Sequence, residues 1–309
     1  MDIFLQQLIN GVVLGAIYAL VALGYTMVYG ILGLINFAHG EVVMIGAMVA
    51  LTVIQALVAS GVALPGPVIA ALGLLAAMPV CMALGYGIER VAYRPLRGAP
   101  RLTPLITAIG MSILLQNAAM IIWGRQYRSF PALLPATPHQ LAGATISELQ
   151  VFIVLLAAAI MLGLAWLVHR TRLGCAMRAT SQSPEIAGLM GVNINTVISL
   201  TFVLGSALAA VAGVMISAYY GIAHYYMGFM LGLKAFTAAV LGGIGNLAGA
   251  MLGGLLLGVI ESLGAGYIGA LTGGFLGSHY QDVFAFFVLI VVLVFRPSGL
   301  LGERVAERA

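Results

Sequence analysis

The stretch from Leu8 to Val28 reads LINGVVLGAIYALVALGYTMV and contains no charged residue. As an α-helix rising about 1.5 Å per residue, a run of this length crosses the hydrocarbon core of a bilayer, which is about 30 Å thick. The stretch therefore predicts a transmembrane helix. Similar apolar runs follow at 40–60, 66–88, 103–123, 150–168, 196–217, 229–245, 247–264 and 281–296.

Composition extends this prediction to the whole chain. Of the 309 residues, 62% are hydrophobic and only 7% are charged, whereas soluble domains carry about 25% charged residues. A water-soluble surface needs more polar groups than this chain has. We expect an all-α polytopic membrane protein with about eight to nine transmembrane helices in one domain, residues 1–309. The runs at 229–245 and 247–264 are separated by a glycine-rich break and form either two short spans or a re-entrant pair.

Basic residues indicate how the chain is oriented. Ten of the 13 lysines and arginines fall in the loop 89–101, the loop 169–193 and the tail after Phe295. Loops rich in lysine and arginine stay on the cytoplasmic side, so these three regions are predicted to be cytoplasmic and the loop 124–147 external. With nine crossings, the N-terminus is then external and the C-terminus cytoplasmic. A net charge of +4 concentrated in such loops reflects membrane orientation, and we expect no nucleic acid partner.

The first candidate site is the segment GLINFAHGE, residues 33–41. It places an amide, an imidazole and a carboxylate between two apolar runs, at Asn36, His39 and Glu41. Ionisable groups at membrane depth are costly and often mark a transport pathway, so these residues are candidates for a translocation pathway or gate. Two alternatives remain open at this point. The segment is a solvated cytoplasmic turn, or His39 and Glu41 are buried residues that only pack helices together.

A second candidate comes from an internal repeat. Tyr25 and Thr26 are followed by Asn36, and Phe236 and Thr237 are followed at almost the same distance by Asn246. The two stretches align with a one-residue gap and lie about 210 residues apart. Transporters often contain repeats with interrupted helices at corresponding positions. Asn246 is therefore added to the candidate pathway residues, although coincidence in glycine-rich apolar sequence explains the match equally well.

The third candidate is the segment SPEIAGLMG, residues 183–191, in a loop predicted to be cytoplasmic. Ser183 is a favourable N-cap, and Pro184 suits the first helical position. The pattern predicts a short capped helix with an exposed apolar face, which either docks on a partner protein or lies on the lipid surface. We favour docking, with the following candidate residues: Pro184, Glu185, Ile186, Leu189 and Met190.

Other features restrict the function. The chain has no GxxxxGK[ST] phosphate-binding loop, so any ATP hydrolysis belongs to a separate chain. Cys81 and Cys175 have no metal-ligand spacing, and no catalytic cluster is evident. We therefore expect a non-enzymatic chain that binds no cofactor or metal. Glu261 lies late in an apolar run and can pair with Lys234 on the same outer side. A stand-alone channel or secondary transporter is a weaker alternative, because dense intramembrane relays of carboxylates or histidines are missing.

Four blocks resemble one family: Tyr25–Glu41 (YTMVYGILGLINFAHGE), Ile88–Arg97 (IERVAYRPLR), Lys234–Glu261 and Arg296–Gly302 (RPSGLLG). In this order they resemble the LivH-type permease of high-affinity branched-chain amino-acid ABC transporters. The resemblance implies an ABC importer permease bundle in a bacterial inner membrane. It also implies a sister permease, two cytoplasmic ATPases and a periplasmic or lipid-anchored binding protein that delivers leucine, isoleucine or valine. Segment 183–191 matches the position of the family's coupling helix. Permeases for urea and short amides share the same general motifs.

Overall fold

A computed structural model describes residues 2–61, 63–100, 102–133, 137–141, 143–273, 275 and 280–302. Helices dominate these ranges, and α3 continues into a π-helical turn, Glu89–Tyr93, and a 3-10 turn, Arg94–Leu96. The α-helices are α1 Asp2–Leu32, α2 His39–Ala59, α3 Gly66–Ile88, α4 Leu102–Trp123, α5 Glu148–Arg170, α6 Arg172–Gln182, α7 Pro184–Leu189, α8 Ile194–Tyr220, α9 Met227–Gly242, α10 Leu247–Leu271 and α11 Gln281–Phe295.

The apolar runs of the sequence form helices as predicted. Seven of the described helices are long and apolar enough to cross a bilayer, namely α1, α2, α3, α4, α5, α8 and α10. Two shorter apolar helices, α9 and α11, correspond to the remaining runs. The expected all-α polytopic fold is confirmed. Its irregular part is the loop 124–147, where the structure adds short strands that the sequence did not predict.

Those strands connect loops at one end of the bundle. Strand β1 (Arg128–Ser129) pairs antiparallel with β4 (Ile222–Ala223), whereas β2 (Pro138–Leu141) and β3 (Ala144–Ser147) form a hairpin. The side chain of Gln6 donates a hydrogen bond to the carbonyl of Thr145 at 3.0 Å, which brings the start of α1 to the same end. We call this end the hairpin face.

The arginine-rich regions meet at the opposite end, which we call the arginine face. Arg97 donates to Asn195 at the start of α8 with a nitrogen–oxygen distance of 2.6 Å. The tail joins the α9–α10 turn through the amide of Leu300, which donates to the carbonyl of Leu241 at 2.9 Å. As the basic-residue count predicted, these regions lie together and away from the loop 124–147. Arg304 and Arg308 of the tail lie outside the described residues.

The glycine-rich break at 243–246 joins two separate helices. Gly243 and Gly245 have φ values of 105° and 97°, which residues with a side chain rarely adopt. The chain therefore reverses direction, and α9 packs along α10 where Gly242 contacts Gly249. With 16 residues, α9 is about 24 Å long and shorter than the hydrocarbon core.

Helix α1 is the centre of the bundle. It packs against α5, α8, α9 and α10, and its longest contact surface lies along α10. Glycines make this contact close, because the backbone of Gly258 lies against Gly15 and that of Gly254 against Ala19. Small residues allow helix backbones to approach in this way inside a membrane.

This packing predicts that Gly258→Ala destabilises the protein. A Cβ at position 258 would overlap the backbone of Gly15, and overpacking of this kind costs about 1–3 kcal/mol. Thermal unfolding in one detergent should therefore show a lower midpoint than the parent protein. Gly163→Ala is the matched control, since no atom lies within 4 Å of a Cβ built at Gly163. Equal midpoints for the two variants would contradict the close α1–α10 contact.

Candidate functional site

The segment 33–38 is a non-helical break between α1 and α2. Gly33 ends α1 with a φ of 63°, and its amide donates to the carbonyl of Tyr29 at 2.7 Å. The next residues turn back into the bundle, so that Asn36, His39 and Glu41 are all buried. The solvated cytoplasmic turn considered from the sequence is therefore wrong.

His39 shows how deeply α2 begins. Its imidazole packs edge-on against the Tyr25 ring, with 4.9 Å between the ring centroids, and it occupies the space beside Gly24. Gly24 lies two turns before the end of α1, which is about 12 Å along the helix. The first turn of α2 is consequently inside the bundle rather than at its surface. Nε2 of His39 is buried and has no hydrogen-bond partner among the described residues.

Glu41 connects three helices. Its Oε1 accepts hydrogen bonds from Ser112 at 3.0 Å and Gln116 at 2.8 Å, both on α4. Its Oε2 faces Gly228 on α9 and has no partner among the described residues. The Glu41 side chain is completely buried. A carboxylate oxygen left free in such a place is costly, which favours either a transient partner or a proton over a purely packing role.

Ser112 and Gln116 were not identified from the sequence. They are four residues apart in an apolar run, so they lie on one helical face. That spacing was the available signal, but it does not indicate that Glu41, more than 70 residues earlier, is their partner.

The two asparagines have different surroundings. Oδ1 of Asn36 accepts a hydrogen bond from the hydroxyl of Tyr93 at 3.1 Å, which ties the start of α2 to the π-helical turn. Asn246 is instead the N-cap of α10, where its Oδ1 accepts from the Gly249 amide at 3.1 Å, and its Nδ2 donates to the carbonyl of Leu301 at 2.9 Å. The hydrogen bonds of Asn246 thus go to α10 and the tail rather than to His39 or Glu41.

Both copies of the proposed repeat have the same local form. Each is a helix, a break containing glycine with positive φ, and a second helix that begins near the asparagine. The aromatic residues that open the copies, Tyr25 and Phe236, lie 6.2 Å apart between ring centroids. The two breaks therefore belong to helices that pack against each other in the centre of the molecule.

Helix α7 has the predicted cap and the predicted exposed face. Oγ of Ser183 accepts a hydrogen bond from the Ile186 amide at 3.4 Å, and Gly191 follows with a φ of 87°. Pro184 is the first helical residue, and Glu185 lies in the first turn. The helix ends at Leu189, so Met190 is its C-cap. Ile186, Leu189 and Met190 are 63%, 87% and 81% exposed. Ala187 is buried and anchors the helix to the bundle.

A buried ion cluster lies near α7 and was missed by the sequence analysis. Glu89 is completely buried and binds Arg94, with a nitrogen–oxygen distance of 2.8 Å, and also Arg97. Its carboxylate also accepts a hydrogen bond from the hydroxyl of Ser199 on α8 at 2.8 Å. Arg97 bonds Asn195 as well. The cluster joins the end of α3 to the start of α8, a few residues after α7.

The fold defines a polytopic helical membrane protein. Residues 7–293 match the family model described as the permease component of branched-chain amino acid transport systems. The chain belongs to this family, whose members are permease components rather than catalytic subunits.

Individual relatives cover almost the whole chain. The chain is 50% identical to the high-affinity branched-chain amino acid permease protein BraD of Pseudomonas aeruginosa, over 99% of this chain and 98% of the relative. It is 46% identical to LivH of Escherichia coli K12, over 99% and 97%. A probable branched-chain amino acid permease of Methanocaldococcus jannaschii is 27% identical, over 97% and 94%. No solved structure matches the chain significantly.

Proposed function

We propose that this chain forms half of the translocation pathway of an ATP-driven importer of leucine, isoleucine and valine. The observation that carries the proposal is the 50% identity to BraD over essentially the full length of both chains. The structural support is α7, a capped helix with an exposed apolar face at the arginine face of the bundle. The relatives described above are named for branched-chain amino acids, which favours this substrate class over urea or short amides.

The proposed assembly has four further components. A sister permease completes the pathway, two ATPases bind the arginine face, and a periplasmic or lipid-anchored binding protein delivers the amino acid at the hairpin face. The membrane is a bacterial inner membrane, with the N-terminus external and the C-terminus cytoplasmic. The chain itself binds no cofactor, and ATP is used by its partners.

The transport cycle is alternating access. ATP binding brings the two ATPases together and moves α7, which follows them because Ile186, Leu189 and Met190 lie in a groove of the ATPase. Movement passes to the start of α8, where Asn195 holds Arg97. Arg97 holds Glu89 at the start of the π-helical turn.

The same turn leads to the candidate pathway. Tyr93, at the end of the π-helical turn, bonds Asn36 in the break before α2. The break lies beside His39 and Glu41, which we propose as gate residues, whereas Asn246 contributes by fixing the second break. A break of this kind can switch between two arrangements after a small displacement, because packed helices do not deform continuously.

Purification of the tagged chain in mild detergent tests the assembly. We expect a sister permease and two ATPases to be retained, and we expect proteoliposomes containing the complex to accumulate leucine only with internal ATP and external binding protein. Uptake of leucine by this chain alone would contradict the proposal and would favour a stand-alone channel or secondary transporter. Uptake of urea, but not leucine, by the complete complex would contradict the substrate class.

A further inference from the structure

A charged cluster inside the bundle is not used by the coupling route described above. Nζ of Lys234 on α9 lies 2.8 Å from Oε1 of Glu261 on α10 and 2.8 Å from Oδ1 of Asp282 on α11. The pairing of Lys234 with Glu261 expected from the sequence is confirmed, and Asp282 is an addition. One ammonium thus faces two carboxylates, which leaves an excess negative charge. The second oxygen of Glu261 is buried and has no hydrogen-bond partner among the described residues.

The cluster also has an unused donor. A lysine ammonium carries three N–H groups. Glu261 accepts a hydrogen bond from one of them, whereas Oδ1 of Asp282 lies at ion-pair distance and has no hydrogen-bond partner among the described residues. The Lys234 side chain retains 14% of its solvent exposure and lines a cavity, so its ammonium has donors left for a further acceptor. Uncompensated charge within a membrane protein is costly and usually marks a functional site. The cluster is therefore incomplete in two respects, since it can accept one more cation and can still donate to one anion.

Lys234 borders a cavity of about 280 Å³ that lies towards the hairpin face. Lys234 is seven residues beyond the start of α9, about 10 Å along the helix, and is the deepest α9 residue in the lining. Aromatic groups line one part, including Tyr18 and Tyr226, and apolar side chains such as Ile216 and Leu231 line another. The ring of Tyr18 lies 5.9 Å from Nζ of Lys234. We call this cavity the outer pocket.

We propose that the outer pocket is a binding station for the transported amino acid inside the permease. The carboxylate of the amino acid accepts a hydrogen bond from the ammonium of Lys234, which lines the pocket. Glu261 and Asp282 do not line it, but their excess negative charge lies behind Lys234 and attracts the ammonium of the amino acid. Its branched side chain packs against Ile216 and Leu231. This inference takes its substrate class from the proposed function. Independently of that function, the charges of Lys234, Glu261 and Asp282 favour a zwitterionic ligand over a neutral one. A zwitterion brings one charge of each sign, whereas urea is neutral and leaves the cluster incomplete.

A purely structural role is the competing explanation, because the cluster also ties together α9, α10 and α11. A test must therefore measure occupancy of the pocket rather than activity alone. Tyr226 lines the pocket and is 44% exposed, so Tyr226→Cys provides a reporter thiol. Cys81→Ala and Cys175→Ser remove the native thiols, and Ser60→Cys, at an exposed site outside the pocket lining, is the matched control.

The experiment uses the complete complex in nanodiscs, held with a non-hydrolysable ATP analogue and supplied with binding protein, with or without L-leucine. We expect leucine at about four times its Kd to slow maleimide labelling of Tyr226→Cys about fivefold and to leave Ser60→Cys unchanged. Lys234→Gln should abolish this protection. A charge-neutral variant with Lys234→Met, Glu261→Gln and Asp282→Asn removes the charges without leaving an unpaired ion, and should also lose protection.

The outcomes separate the two proposals. Protection that persists in Lys234→Gln and in the neutral variant would overturn the pocket, because docking of the binding protein would then explain it. Absence of protection in a complex that still transports leucine would also overturn the pocket while leaving the proposed function intact. A parent complex that assembles but does not transport leucine would instead contradict the proposed function.

Discussion

A permease carrying Leu189→Asp should assemble normally and lose ATP-driven leucine uptake almost completely. Leu189 is 87% exposed at the end of α7, so the bundle does not depend on its side chain. In the proposed complex the same side chain is buried in a groove of the ATPase. A central interface anchor contributes about 2 kcal/mol or more, which is more than tenfold in affinity, and a buried carboxylate without a partner adds a desolvation cost.

The measurements for this variant are leucine uptake by proteoliposomes and ATP hydrolysis stimulated by the binding protein. Gln182→Asp is the matched control, since it adds the same charge at an exposed position just before the Ser183 cap. The control should retain most of the uptake, and both variants should unfold at the parent midpoint. Normal coupling in Leu189→Asp would remove α7 as the contact with the ATPase and would favour the lipid-surface alternative.

Replacing Glu89 with glutamine should reduce uptake by about tenfold, a size typical of coupling free energies between sites. The carboxylate of Glu89 is fully buried and is shared by Arg94, Arg97 and Ser199. Glutamine keeps the size of the side chain but removes the charge that holds both guanidinium groups. The link between α3 and the start of α8 then weakens. Less of the movement of α7 then reaches the break beside α2, so more ATP is hydrolysed for each leucine transported.

Arg90→Ala is the control for this prediction. Arg90 is adjacent to Glu89 in the sequence, yet its guanidinium donates to the exposed hydroxyl of Tyr86 at 2.7 Å. We expect uptake close to the parent value for Arg90→Ala. The informative quantity is the number of ATP molecules hydrolysed per leucine transported, which should rise only in Glu89→Gln. An unchanged ratio in Glu89→Gln would exclude the cluster from the coupling route.

The sequence predicted the membrane fold well because the relevant physics is local. Apolar length determines which segments can span a bilayer, and each of the nine runs became a helix. Capping is local too, so the bounds of α7 were predicted to within a residue from Ser183, Pro184 and Gly191. The positions of lysine and arginine correctly predicted which loops lie at the same end of the bundle, because these charges affect orientation independently of how the helices pack.

The parts that could not be predicted depend on contacts between distant segments. Hydropathy shows that residues 33–41 interrupt an apolar pattern, but not that the break folds back beside Gly24. Glu89 is adjacent to Arg90 in the sequence, but neighbours in sequence point away from each other on a helix. The π-helical turn instead brings Arg94, five residues later, to the carboxylate. Neither the turn nor Ser199 on α8 leaves a signal in the local sequence.

The central position of α1 also affects how the molecule is made. Helix α1 precedes along the chain all the helices that it packs against, and its longest packing partner, α10, is synthesised more than 200 residues later. Until then, its glycine-lined side has no helix to meet. Helix α1 carries no charge between Ile3 and Leu32, so it is stable in lipid before α10 is synthesised. Assembly of the bundle is therefore a late event in translation, and a chain interrupted before α10 would remain inserted but unassembled, with the surface around Gly11 and Gly15 open to other membrane helices.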